Sequence, residues 1–378
     1  MPSKITMAPL ALAALIATIG VHAHAAEQVV KIGVSGPLSG ANAFAGKDNE
    51  NGVRMAIEEL NAQKIQVGAN VLRFVLQSED DAGDPKQGVT VAQKFADAGV
   101  KFVIGPYNSG VAIPASRIYS EAGILMSTVG TNPKITQGGY TNVYRIVASD
   151  LQVGGSMASY AARELKVKNV GVIDDRTAFG QGIATEFKRQ AKAAGLSVAG
   201  HEFTTDKASD FAAILTAMKA KKVDAIFFGG YAPQAAPMAR QMKQLGLNAK
   251  LLGGDTLCSP EMAKLGGDAV GANVLCAQAG AIVAKQASGP AFQARYRKRF
   301  NRDADVYAPS FYDQTMFIAQ AIRSAKSADP KAVGAQLRAT SYQGVVGSYA
   351  YDAQGNLKKT TVTVYTFTNG ALAPLASY

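Results

Sequence analysis

Residues 29–34 read VVKIGV, residues 71–76 VLRFVL, residues 102–104 FVI and residues 124–127 ILMS. These runs are short, almost unbroken in apolar residues and rich in β-branched ones. Between them lie stretches of helical character at Asn51–Ala62, Pro85–Ala98 and Ala112–Glu121. The alternation predicts successive βαβ units, and strands apolar on both faces belong in a parallel sheet covered by helices on both sides. A first doubly wound α/β unit is therefore expected over about residues 26–147.

The rhythm restarts beyond it. Helical stretches at Gly154–Leu165, Ile183–Ala194, Phe211–Ala220 and Pro237–Leu245 alternate with strands at Val170–Ile173, Val198–Phe203, Ala225–Phe228 and Leu251–Gly254. A second α/β unit of similar size fits this pattern. After Gly289 the helical segments Phe292–Phe300 and Phe311–Ala325 run longer and end in a turn-rich stretch, Gly344–Gly355. There Asp352-Ala353-Gln354-Gly355 reads as a turn between strands, and Val362–Phe367 as the final strand.

The chain of 378 residues carries 39 Lys+Arg against 28 Asp+Glu and is 48% hydrophobic, a globular composition long enough for two or three domains. Three histidines and two cysteines are too few for a His/Cys metal cluster or a c-type haem site, and no cofactor is expected. Lys4, an apolar run from Ala8 to Val21 and then Ala23-His24-Ala25 form a secretory signal peptide over residues 1–25. That run is shorter than the roughly 20 residues a membrane helix needs, so the reading is a cleaved segment, a mature chain from Ala26 and export. Cleavage lowers the net charge from +11 to +10 and leaves one histidine, His201. The basic residues are scattered through helices such as Phe187–Lys192 and Arg295–Arg302 without interleaved aromatics, which argues for solvated faces and against nucleic acid. In an oxidising compartment Cys258 and Cys276 are expected to pair as a local disulfide. Hydrolase chemistry lacks a Gly-x-Ser-x-Gly elbow, and His201 lies in an apparent strand with no acid–nucleophile set in view.

In open α/β sheets ligands bind beyond the carboxyl ends of the strands. Gly40 to Asp48 follows the first strand and superficially resembles a phosphate-binding loop. Its spacing is one residue too long, and Asp48 would set an anion beside a polyphosphate. Gly105-Pro106-Tyr107-Asn108-Ser109-Gly110 and Thr128-Val129-Gly130-Thr131 each combine a hydroxyl with glycine-loosened backbone at a strand end. Together they suit a carboxylate, although Ser109 alone also suits a helix N-cap. Facing them, one strand ends in Gly229-Gly230-Tyr231 and another in Asp255. That carboxylate either seeks a cationic ligand or caps the helix that follows Ser259-Pro260-Glu261. Phe44, Tyr107, Phe179, Tyr231 and Tyr307 are candidates for the remaining walls.

The segments Lys31-Ile32-Gly33, Gly36-Pro37-Leu38-Ser39-Gly40, Asp80-Asp81-Ala82-Gly83-Asp84-Pro85, Gly123-Ile124-Leu125-Met126, Gly229-Gly230-Tyr231 and Gly253-Gly254-Asp255 span the chain from residue 31 to residue 255. Collectively the chain resembles the periplasmic leucine/isoleucine/valine-binding family, the solute-binding components of ABC importers. The resemblance implies a type I periplasmic-binding fold: two Rossmann-like lobes joined by a three-segment hinge, with residues 26–147 and 279–356 in the first and 148–278 and 357–378 in the second. It implies that Ser109, the Val129 carbonyl and Thr131 hold the α-carboxylate and α-ammonium of an amino acid. Tyr231 and Asp255 complete those contacts from the second lobe, and Phe44, Tyr107, Phe179 and Tyr307 surround the side chain. Asp255 is one methylene shorter than the Glu frequent in the family, Phe179 lacks a phenolic hydroxyl, and Tyr107 and Tyr307 are bulky for a leucine pocket. The expected protein is a periplasmic monomer, not an enzyme, that closes on a small aliphatic amino acid and delivers it to an inner-membrane ABC permease. The same fold binding an amide, a γ-amino acid or an aromatic acid is the alternative.

Overall fold

A computed structural model describes residues 26–378; the signal-peptide reading of residues 1–25 lies outside the described residues. The first half builds β1 (Ala26–Gly36), α1 (Ala43–Ala62), β2 (Gln66–Val67), β3 (Asn70–Asp80), α2 (Pro85–Asp97), β4 (Phe102–Ile104), α3 (Ser109–Glu121), β5 (Leu125–Thr128), α4 (Lys134–Gln137) and β6 (Val143–Arg145). Its six-stranded sheet has the order β2-β3-β1-β4-β5-β6 and is parallel except for the short β2. Both faces are buried as the unbroken apolar runs require: Phe102 and Ile104 turn toward one core, and Val103 between them toward another with Phe95, Tyr119 and Met126.

The chain then enters α5 (Asp150–Arg163), β7 (Asn169–Asp174), α6 (Ala178–Ala193), β8 (Ser197–Phe203), α7 (Ala212–Ala220), β9 (Ala225–Gly229), α8 (Ala232–Gln244), β10 (Lys250–Gly253), α9 (Pro260–Gly266) and β11 (Val274–Ala279). Next come α10 (Gly289–Phe300), α11 (Ala308–Ala325), α12 (Pro330–Ala339), β12 (Tyr342–Gln343), β13 (Ser348–Tyr349), β14 (Val362–Thr368) and β15 (Ala371–Ser377). The second sheet has the order β15-β14-β11-β10-β9-β7-β8. Helices α10–α12 return to the first lobe. Arg295 and Arg299 pair with Glu59 and Glu58 of α1, and a Cβ at Gly52 would meet the Ala308 carbonyl oxygen at 2.2 Å, so α1 and α11 touch through a glycine. The chain thus crosses between lobes after β6, after β11 and before β14.

Two expectations are corrected. Val362–Phe367 is not the last strand, because β15 pairs with it antiparallel and carries Pro374 at the sheet edge, where a missing N–H costs no ladder bond. Pro237 does not start a helix but sits inside α8, which begins at Ala232.

Cys258 and Cys276 are bonded, tying the turn after β10 to β11 with a Cα separation of 5.4 Å. Closing a loop of this length stabilises by about 3 kcal/mol. The double replacement Cys258→Ala, Cys276→Ala is expected to lower the thermal midpoint accordingly while leaving the cleft intact; an unchanged midpoint contradicts a stapling role.

Candidate functional site

Each sheet reverses its winding beside one strand. β1 has β3 and β4 as neighbours, and β7 has β8 and β9, so loops at their carboxyl ends open a crevice in each lobe. The two crevices face each other. Hydrogen bonds cross the gap, among them Asn108 Nδ2 to the Tyr231 hydroxyl at 2.9 Å, Asn132 Nδ2 to the Ala178 carbonyl at 2.7 Å, Ser259 Oγ to Asp305 Oδ2 at 2.8 Å, and the Tyr307 hydroxyl to Asp255 Oδ2. The lobes are closed on one another.

On the first lobe Ser109 is not a helix cap. Asn108 holds the N-cap position of α3, and Ser109, one residue inside, accepts from the Asn132 backbone N–H at 3.3 Å. The serine therefore joins the loop after β4 to the loop after β5. Val129 is buried in that second loop, and the Thr131 hydroxyl is buried without a partner in the protein. On the second lobe the capping alternative for Asp255 also fails. Ser259 caps α9 by accepting from Glu261 N–H at 3.2 Å, while Asp255 opens a single 3₁₀ turn beyond β10. Asp255 is buried; Oδ2 takes the Tyr307 hydroxyl and Oδ1 has no partner in the protein.

The aromatic candidates converge. The Tyr107 ring centroid lies 6.1 Å from that of Tyr231 and 6.2 Å from that of Tyr307, and Phe179 lies 5.2 Å from Tyr231. Phe44, Tyr107 and Tyr307 line a cavity of about 10 Å³ together with Thr256 and Asp305. Tyr107, Phe179, Tyr231, Asp255 and Tyr307 form one contact network. Ser109 joins it through its neighbour Asn108, and Val129 and Thr131 lie in the adjoining loop.

Besides Asn132, four residues of the gap escaped the sequence reading. Asn108 supplies the bond to Tyr231. Asp150, first in α5, has both carboxylate oxygens buried and unpartnered, and its N–H donates to the Thr131 carbonyl at 2.9 Å. Asp175 follows β7 and accepts from Thr177 N–H and Oγ1 at 2.9 and 2.6 Å, leaving Oδ2 unpartnered. A Cβ at Gly180 would meet Asp175 Oδ1 at 2.1 Å, so glycine there admits the carboxylate. Asp305 is the fourth. Asp175 stands at a strand end just as Asp255 does, and that rule would have found it.

Burial pushes Asp255 up to about 7, with the Asp150 charge adding to the effect; burial likewise pushes Asp150 and Asp305 up to about 7 and Asp175 up to about 6. A carboxyl whose folded pKa lies above its unfolded value binds more protons in the folded state, so stability falls as pH rises through that window. The ligand-free protein is therefore expected to melt higher at pH 5.5 than at pH 8. A scanning-calorimetry midpoint that instead rises with pH over this range contradicts the buried acid cluster.

His201 has the acid partner that the sequence did not reveal. Its Nε2 lies 2.6 Å from Asp174 Oδ2, and its Nδ1 3.1 Å from Lys188 Nζ. No group of three or more metal-ligating side chains occurs among the described residues.

Two α/β lobes closed over a gap lined by aromatic rings, hydroxyls and buried carboxylates define a bilobal solute-binding protein of type I topology. The family model "Periplasmic binding protein" matches residues 29–371, and the chain belongs to that family. A Leu/Ile/Val-binding protein, BraC3, of Rhizobium johnstonii is 34% identical over 95% of this chain and 97% of its own. A leucine-, isoleucine-, valine-, threonine- and alanine-binding protein of Pseudomonas aeruginosa is 33% identical over 90% of both. The crystal structure of a leucine-binding protein, LivK, from Thermotoga maritima superposes with a TM-score of 0.85 at 26% identity, over 92% of this chain and 98% of that one. Among the described residues no helix is long and apolar enough to cross a membrane.

Proposed function

We propose that this protein captures a small aliphatic α-amino acid in the periplasm, after loss of residues 1–25, and delivers it as a monomer to an ABC permease without altering it chemically. The observation that carries the ligand class is Asp255, a buried carboxylate with one oxygen unpartnered, set opposite the first-lobe loops that bear Ser109, Val129 and Thr131. An α-ammonium placed there gains charge-assisted hydrogen bonds and offsets the burial of Asp255. Ser109, the Val129 carbonyl and Thr131 take the remaining polar groups of the ligand. Tyr231 adds a contact from the second lobe, and Phe44, Tyr107, Phe179 and Tyr307 enclose the side chain. The three interlobe crossings serve as the hinge, and ligand bonds made from both sides stabilise the closed form.

The relatives that bind leucine, isoleucine, valine, threonine or alanine support this reading. An aromatic acid, the rival ligand, meets Asp150, Asp175 and Asp255 with a negative charge and no ammonium, so the acids of the gap disfavour it. An apolar wall discriminates by only about 1–3 kcal/mol per methylene, so overlapping affinities for leucine, isoleucine, valine and smaller analogues are expected. Mass spectrometry of solute released by denaturing protein purified from its native compartment identifies the ligand. A thermal-shift screen of the twenty amino acids complements it, since ligand at 100 times its dissociation constant stabilises by about 2.7 kcal/mol. Recovery of an aromatic acid, with no response to any α-amino acid, overturns the proposal.

A further inference from the structure

The three crossings border a second pocket of about 360 Å³, partly open to solvent, large enough for a small organic molecule and separate from the gap lined by Asp255. All three crossings contribute to its wall: Ala148 from the first, Ala281 from the second and Thr361 from the third. These strands are also bonded to one another and to the first lobe. Gly280 N–H donates to the Thr361 carbonyl at 2.8 Å, and Ala281 N–H to the Val346 carbonyl at 3.2 Å. The lining contains no acidic side chain. It contains one cation, the solvent-exposed Lys359, which makes no ion pair among the described residues, an amide from Gln286 and the Thr360 hydroxyl, which accepts from Gln152 Nε2 at 2.7 Å. Its electrostatics are thus opposite to those of the interlobe gap, where Asp150, Asp175, Asp255 and Asp305 gather.

We infer that this hinge cavity is an effector site for a small organic monocarboxylate, whose carboxylate meets Lys359 and whose apolar body fills the space between the crossings. The torsional change of domain closure concentrates in the connecting segments, so a cavity walled by all three alters shape between open and closed forms. A molecule that fits it in the closed form described here binds the open form less well, and by reciprocity it tightens binding in the gap. The coupling arm of this inference rests on the amino acid reading above; the site itself does not.

The probe is cyclohexanecarboxylate, a compact apolar body with one carboxylate and no ammonium, titrated into full mature protein by calorimetry and by ligand-observed NMR. Binding to the unaltered protein is expected, weakened about tenfold or more by Lys359→Ala and lost in Ala281→Phe, which fills the cavity. Lys359 lies outside the gap, so leucine binding should survive in Lys359→Ala. In the unaltered protein, saturating probe is expected to lower the leucine dissociation constant about fivefold or more. Absence of probe binding at millimolar concentration, equal binding by both variants, or competition with leucine each overturns the hinge site. Failure of every α-amino acid to bind counts against the amino acid reading alone, because the two variants report on the cavity without reference to it.

Discussion

Asp255→Asn is expected to weaken α-amino acid binding by about 30-fold or more while leaving the ligand-free protein at least as stable as before. The opposite signs follow from one cause. With the lobes closed the carboxylate is buried with an unpartnered oxygen, and its ionised form is disfavoured enough to push its pKa up to about 7. An amide of the same shape removes that burden. With ligand bound, the same charge faces an ammonium in a desolvated gap, and deleting one partner of such a pair costs about 2–5 kcal/mol. Calorimetric titration and a melting curve on the same preparation test both halves. Asp255→Ala should lose binding as well, and unchanged affinity in either variant removes Asp255 from the site. A proton count gives an independent check. Near pH 6 an arriving ammonium drives Asp255 to its ionised form, so binding by the unaltered protein releases protons in buffers of differing ionisation enthalpy, and Asp255→Asn suppresses this.

The second large effect is expected at Arg145, under the loop that bears Thr131. This guanidinium is almost wholly buried and donates to the Gly130 and Asn132 carbonyls at 2.9 Å each, to Thr136 Oγ1 at 2.9 Å and to Asn356 Oδ1 at 3.2 Å. The first two acceptors flank Thr131; the last belongs to the segment leading into the third crossing. Burial lowers its pKa to about 10, so it stays cationic at neutral pH. Arg145→Met keeps the bulk but strands the buried Gly130 and Asn132 carbonyls at about 1–3 kcal/mol each, while Asn356 Oδ1 still accepts from Thr136 Oγ1. A loss of about 4 kcal/mol or more is expected in denaturant unfolding, a large share of the 5–15 kcal/mol typical of folded proteins. A loss below about 1 kcal/mol would show that water replaces the guanidinium without penalty.

Much of the architecture was readable because strand and helix signals are local. VVKIGV at residues 29–34 needs only its own apolar content to declare a doubly buried strand, and the recurrence of such runs declares α/β winding. The signal weakens where elements are short or where packing supplies the stability. β6 spans three residues, β12 and β13 two each, and β15 is half exposed, so none carries a periodic pattern long enough to stand out. Pro237 reads as a helix start, yet α8 tolerates it in its second turn because only one backbone bond is lost. At the site, acids and hydroxyls after strands could be named as candidates, but Ser109 and Asp255 each kept a capping alternative that only coordinates removed.

Local chemistry in the chain determined which segments become strands and helices, that two winding units exist, and which cysteines can meet. Packing across the whole molecule decided that Tyr307 reaches Asp255 over 52 residues and Asn108 reaches Tyr231 over 123. It also decided that three late helices fold back on the first lobe, and that Asp150, Asp175 and Asp255 are buried together at one gap. The physical reason is range. Backbone propensity and apolar periodicity act over a few residues, whereas burial is settled only when distant faces cover one another, and burial leaves a carboxylate short of a partner.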